Sequence, residues 1–384
     1  MPPIKQQMRI LSLLLAAALL IGCQTGPVRD LKNTSDTRNL TSEENRSWSA
    51  GKKLDSAISK QNILYNDILL TSYIQGIADK LYPEFKNTLT LKLIDSPDLN
   101  AFALPNGSIY FNVGLLARLD NESQLATIVA HEVSHFVRQH SLKQRRSTNN
   151  VLTAGMAITL LTGIPFSGEL LAVSAISGYS QSLETEADEL GFERLINNGY
   201  DPAEAKKTFE HLLKEVETLE IDQPFFFASH PRLEERIKNF EKLANNSNKK
   251  GGLKNDAVYL NKTRQARADI LERYLSLHRY KTLILMLEDK ENLQRYPSYA
   301  SYYLGEAYRF RGDKKDIDHA QRAYQKAISA APEYAPSYRA LGILQMKAGE
   351  NQASLDNLQT YLGLAPKAKD RTYIEQYIKQ MRQS

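Results

Sequence analysis

Apolar positions along the chain change period several times, and each change predicts an element. From Ile63 to Leu81, the residues Ile68, Leu69, Tyr73, Ile77 and Leu81 recur at helical spacing and predict an amphipathic helix. Leu89, Leu91 and Leu93 then alternate with Thr90 and Lys92, as in a strand. Ala101 to Leu104 and Ser108 to Asn112 flank Pro105, Asn106 and Gly107, a strong turn signal. Asn121 followed three residues later by Gln124 reads as a capping box. Leu125, Ile128, Val129, Val133, Phe136 and Val137 carry the helix it opens to about His140. A second long helix is predicted from about Ser182 to Asn197, with Gly199 just past its end as a stop. Between the two, Val151 to Ile164 and Glu169 to Ser180 are unusually apolar. Each falls short of the roughly 20 residues a bilayer span needs, so buried or membrane-surface helices are expected there.

Polar stretches divide the chain. Residues 24–45 are rich in Thr, Asn, Asp, Ser and Arg without apolar period and read as a solvated tether, with folded structure expected from near Trp48. The run Asn246 to Gly252 reads as a linker, and composition shifts after it: 14 of the 20 tyrosines lie between 259 and 377. A repeat appears there. Leu304, Gly305, Tyr308, Ala320, Tyr324, Ala327 and Pro332 are answered by Leu341, Gly342, Leu358 and Pro366. This segment resembles tetratricopeptide helical hairpins, although Gln345 stands where an aromatic is usual and Ser354 where alanine is usual. Ala266 to Leu277 and Tyr280 to Leu287 also read as helical and provide a degenerate first unit. The expected organisation is a signal segment over 1–23, the tether 24–45, a folded domain 46–245, a linker 246–255 and helical repeats over 256–384. The fold class is mainly α with a small β-sheet, α+β.

Composition changes this picture at two points. The net charge of +5 is spread over 49 basic and 44 acidic residues with no dense Lys/Arg tract, so nucleic acid is not an expected partner. The single cysteine excludes an internal disulfide. Lys5 and Arg9, the apolar stretch Ile10 to Ile21 and Gly22 have the layout of a secretory signal, and Leu20, Ile21, Gly22, Cys23 resembles the bacterial lipoprotein signal. That resemblance implies acylation of Cys23 and a lipid anchor, and Gln24 after it implies the outer membrane.

The candidate chemistry lies on the first long helix. Residues four apart share a helix face, so His131 and His135 reach one zinc ion, with Glu132 beside them as the general base that takes a proton from an attacking water. The flanking residues are apolar, so these polar groups are carried into a packed region. A catalytic zinc site needs a third protein ligand. Glu184, on the second helix, is the best candidate. Asp188, one turn further on, is placed to accept the free ring N–H of a ligand histidine, and Glu186 is expected to be an ordinary solvated acid. His140, His211, His278 and His319 have no partner at ligand spacing and are expected in surface or core roles.

Asn100 to Pro105, Gly114 to Leu116, the histidine helix, Glu184 with Ala187 and Asp188, Gly191, and His230-Pro231 with Arg236 together resemble the zinc metallopeptidases that include the CAAX prenyl endopeptidases and HtpX-like proteases. The resemblance covers roughly residues 48 to 245. With the signal segment and repeat tail, the chain looks most like the periplasmic BepA-type branch. Gln181 departs from that pattern, in which arginine is common. The resemblance implies an HExxH, gluzincin-like domain with one zinc per chain and Glu184 as third ligand. It also implies an edge strand around Asn100, Ala101, Phe102 and Ala103 that binds substrate extended. His230 either stabilises the oxyanion or closes zinc's open position. The implied function is endoproteolysis of misfolded or stalled outer-membrane proteins in the periplasm. The tail would contact the assembly machinery. A membrane-tethered chaperone or scaffold working through the repeat grooves is the alternative, and an exopeptidase fits an open-ended cleft less well.

Overall fold

The computed structural model describes residues 27–147, 179–219, 230 and 233–383. The expected signal segment with Cys23, most of the apolar 151–180 stretch, and Pro231 lie outside the described residues. Helix α1, Ser42–Ser59, opens on a true capping box between Thr41 and Glu44. Helix α2, Ile68–Leu81, is capped by the Asp67 side chain. It buries Leu70, Ile74, Ile77, Ala78 and Leu81. Ile68 and Leu69, expected on the apolar face, are instead exposed on its first turn, because the face that meets the core runs from Leu70. Strands β1 (Thr90–Ile94), β2 (Ala101–Ala103) and β3 (Ser108–Asn112) form one sheet in the order β1-β3-β2. The β1–β3 pair is parallel and the β2–β3 pair antiparallel.

After the short helix α3, Val113–Arg118, comes α4, Glu122–Val137, and every one of its residues is buried. It is the axis of the core. Asn121 accepts from the Gln124 main chain as expected, but the Gln124 side chain reaches back to the N–H of Asp120, one residue earlier than a capping box requires. The helix also stops short of His140. Gln139 takes a left-handed conformation, φ 51°, and α5, His140–Ser147, starts in a new direction. Helices α6 (Gln181–Asn197) and α7 (Pro202–Leu219) pack on α4, and α8 (Leu233–Asn246) packs on α6 and α7, with Phe209 and Phe240 stacked at 5.1 Å between α7 and α8.

Two segments read as solvated chain are docked. In the tether, Leu31 is buried and its N–H donates to the Val137 carbonyl at the end of α4, while Arg29 pairs with Glu44 at 3.0 Å. Main-chain hydrogen bonds hold this arm, so it leaves no apolar period in the sequence. In the linker, Leu253 bridges to Tyr200, and the Lys254 carbonyl accepts from the N–H groups of Glu122 and Ser123, the first turn of α4.

The rest is helical: α9 (Asp256–Lys262), α10 (Arg264–Ser276), α11 (Tyr280–Glu288), α12 (Lys290–Leu293), α13 (Ala300–Arg311), α14 (Asp316–Ala330), α15 (Ala335–Lys347), α16 (Asn351–Leu364) and α17 (Arg371–Met381). α13 packs on α14 and α15 on α16. Both unusual repeat residues find partners on the neighbouring helix: Ser354 donates to the Gly342 carbonyl at 2.8 Å, and Gln345 accepts from Asn357 at 2.8 Å. Tail and core are joined through α3, whose last carbonyls receive Tyr259, Tyr296 and Arg267. Among the described residues no helix is long and apolar enough to cross a membrane.

Candidate metal centre

The centre forms where α4 crosses α6. Gly191 makes the approach possible: a Cβ there would stand 3.3 Å from the backbone of Ala130 and His131. Nε2 of His131 lies 2.8 Å from Nε2 of His135 and 3.4 Å from Oε2 of Glu184, and His135 Nε2 lies 3.5 Å from Glu184 Oε1. Four donors 2.0–2.1 Å from one tetrahedral zinc stand about 3.3 Å apart, which these separations bracket. The environment agrees. Glu184 Oε2 is buried without a hydrogen-bond partner, and two imidazole nitrogens 2.8 Å apart need a shared proton or a cation between them. His230 supplies a fourth converging atom, its Nδ1 3.1 Å from His131 Nε2 and 3.0 Å from Glu184 Oε1. Two or three imidazoles with one carboxylate are a zinc donor set.

Electrostatics follow the burial. Burial pushes the Glu184 carboxyl up, but His230, His131 and Arg236 outweigh it and hold the group well below the usual carboxylate range. Glu132 has weaker compensation. Burial raises its carboxyl, and Oε1 has no hydrogen-bond partner although His230 Nε2 lies 3.3 Å away. Burial and Arg236 push His131 down, yet its contacts with Asp188 and Glu184 leave it raised. His135 is driven well below its ordinary value by burial and by His131.

Asp188 Oδ1 lies 2.9 Å from His131 Nδ1, and the Arg236 guanidinium grips the same carboxylate at 2.6 and 3.1 Å. Gln181, where arginine was expected, ties α6 to Glu235 on α8 at 2.7 Å. β2 is an outer strand of the sheet and packs against α4. The bonds from Asn112 N–H to Asn100 and from Leu104 N–H to Ser108 set its phase, so Ala101 and Ala103 turn their main-chain groups toward the far edge. Among the described residues no strand pairs with that edge, yet Ala101 and Ala103 are buried.

Three neighbours escaped the sequence reading. His140, read as lacking a partner at ligand spacing and given a surface or core role, is fully buried with Nδ1 2.8 Å from His135 Nδ1 and Nε2 3.0 Å from Glu186; burial pushes its ring down to about 4 against the opposing pull of Glu186. Glu186 is correspondingly an engaged acid, which also meets Lys143 at 3.3 Å. Tyr179 stacks on His135 at 4.0 Å. The left-handed turn at Gln139 brings His140 back under His135, and a turn of that kind leaves no trace in hydrophobic periodicity.

Residues 69–244 match the model of peptidase family M48. The chain is 30% identical over 197 residues to the beta-barrel assembly-enhancing protease of Escherichia coli K12, covering 47% of this chain and 40% of that protein. It is 31% identical over 155 residues to the mitochondrial metalloendopeptidase OMA1 of Schizosaccharomyces pombe, covering 39% of this chain and 45% of that one. The chain thus spans less than half the length of these curated relatives. The crossing of α4 and α6, with its converging imidazoles and carboxylate that could hold a metal ion, lies inside the segment, residues 69–244, that is similar to peptidase family M48.

Proposed function

We propose that the protein is a zinc metalloendopeptidase of the bacterial envelope that cleaves misfolded or stalled outer-membrane polypeptides. The observation that carries this reading is the convergence of His131 Nε2, His135 Nε2 and the Glu184 carboxylate beside a buried Glu132 oxygen that has no hydrogen-bond partner. His131, His135 and Glu184 would hold the metal. When bound, zinc polarises the scissile carbonyl and acidifies water. Glu132 takes the proton of the attacking water and returns it to the leaving amine; burial raises its carboxyl above the usual carboxylate range. Asp188, fixed by Arg236, accepts the Nδ1–H of His131 and directs its Nε2 to the metal. An extended substrate adds to the edge of β2, in the segment Asn100, Ala101, Phe102 and Ala103, through the outward main-chain groups of Ala101 and Ala103.

His230 Nδ1 stands at the fourth corner, 3.0 Å from Glu184, which supports a resting arrangement that must open for turnover. The names of the bacterial relatives support a role alongside β-barrel assembly, with the helical tail as the tetratricopeptide-like contact for partners and acylated Cys23 as the outer-membrane tether. Glu132→Gln is expected to abolish casein cleavage while zinc content and thermal unfolding stay at wild-type values. Cleavage retained by that variant removes Glu132 as the base.

A further inference from the structure

The two ligand histidines are braced differently. His131 has the Asp188 carboxylate on its Nδ1, whereas Nδ1 of His135 meets another imidazole, His140 Nδ1, at 2.8 Å. We propose that His140, anchored by Glu186, is the positioning residue that fixes the tautomer and orientation of His135. This rests on the metal-centre reading above.

Tautomers settle the direction of the chain. An imidazole that offers Nε2 to a metal carries its one proton on Nδ1. His135 Nδ1–H then donates to His140 Nδ1, which must be the bare nitrogen. The proton of His140 is therefore on Nε2, the atom that stands 3.0 Å from Glu186 Oε2. Each link has one donor and one acceptor, and the series ends on a carboxylate that also meets Lys143 at 3.3 Å and Arg138 at 3.4 Å. The opposite arrangement fails at both ends. It places the His135 proton on Nε2, toward the other ligand atoms, and turns the bare Nε2 of His140 toward a carboxylate.

The surroundings are built for this contact. The left-handed residue Gln139 ends α4 and lets α5 begin with the His140 ring folded back beneath His135. His140 is fully buried, so water does not compete for its nitrogens. Tyr179 lies flat on the His135 ring, interplanar angle 14°, and its hydroxyl is 3.1 Å from Ser141 Oγ. His135 is thereby held on its face by a phenol ring and at its Nδ1 by His140.

The test compares the full chain with His140→Phe, which keeps ring volume without an acceptor, His140→Asn, whose Oδ1 stands near the former Nδ1, and Glu186→Leu. Zinc dissociation constants come from competition with a chromophoric chelator, the ligand field from visible absorption after cobalt substitution, and folding from thermal unfolding of the zinc-free proteins. Loss of such an anchor typically weakens metal binding about 10- to 100-fold, which is expected for His140→Phe with an altered cobalt spectrum. His140→Asn should stay within about threefold of wild type and Glu186→Leu should weaken binding about tenfold. Wild-type affinity in a folded His140→Phe, or His140→Asn as weak as His140→Phe, overturns the proposal. If His140→Phe does not fold, Glu186→Leu decides alone, because that residue is partly exposed: weaker binding supports the proposal and unchanged binding overturns it. A wild-type chain that binds no zinc sinks the metal-centre reading and this proposal with it, a result distinct from intact binding in all variants.

Discussion

Replacing Arg267 by lysine tests whether the helical tail is structurally fused to the domain that carries the metal centre. Arg267 is 1% exposed, and its guanidinium fork donates to Ala117 O at 2.8 Å and Leu119 O at 2.5 Å, two carbonyls at the end of α3. Its Nε donates to Thr263 Oγ1 at 3.0 Å. Lysine keeps the charge and most of the stem, so the burial cost of a cation remains. A single ammonium cannot reproduce the planar fork, however, and one carbonyl loses its charged donor. Ala117 O retains the Tyr296 hydroxyl at 2.9 Å, so Leu119 O is the more vulnerable of the two. A hydrogen bond to a charged group contributes about 1.5–3 kcal/mol, and a destabilisation of about 2–3 kcal/mol is expected. Urea unfolding of the full chain measures it, with Arg273→Lys as control. Arg273 pairs with Asp95 across the same interface, but both side chains are more than a third exposed, and the control should shift stability by less than about 1 kcal/mol. If Arg267→Lys falls within about 0.5 kcal/mol of wild type, the buried fork does not join the two halves and the reasoning is wrong.

Other outcomes can be checked alongside. Gly114→Ala should destabilise by about 3 kcal/mol in thermal unfolding, since its Cβ would lie 2.1 Å from Pro97 O and backbone must move; helix propensity returns only about 1 kcal/mol. Glu204 is held at about 2, below its ordinary 4.5: burial opposes this, while Asn121, Lys207, Gln124 and Lys254 outweigh it. Because the folded value is the lower one, its contribution is complete above about pH 4.5 and disappears as pH falls toward 2. The gap in urea midpoint between wild type and Glu204→Gln should therefore be the same at pH 7 and pH 5.5 and shrink at pH 3. A constant gap at all three refutes that assignment. Zinc added to chelator-stripped protein should raise the unfolding temperature in a concentration-dependent way, about 4 kcal/mol at a thousandfold excess over the dissociation constant. No shift at any concentration argues against a native-state site.

Local rules made much of the fold readable. Alternation marked β1, the turn at Pro105, Asn106 and Gly107 marked β2 and β3, the Asn121 cap marked the start of α4, and the i, i+4 spacing put His131 and His135 on one face of it. Helical spacing placed Asp188 one turn after Glu184 on α6, while the reading of Glu184 as third ligand came from the family resemblance. What escaped depends on tertiary pairing. The α2 stripe shifted because Ile68 and Leu69 open the helix before the core begins. The arm at 27–41 and the strap at 249–255 are polar chain fixed by main-chain bonds, which composition reads as solvated. His140 and Glu186 reach His135 only through one left-handed residue.

The strap has a mechanical meaning. Lys254 O receives the N–H groups of Glu122 and Ser123, at 2.9 and 3.4 Å, while its ammonium holds Glu204, so the covalent path between the two halves is fastened to the leading end of the histidine helix. Eight residues separate Ser123 from His131, about 12 Å along the helix axis. Tension on the tail that reaches this fastening arrives two turns along α4 from His131.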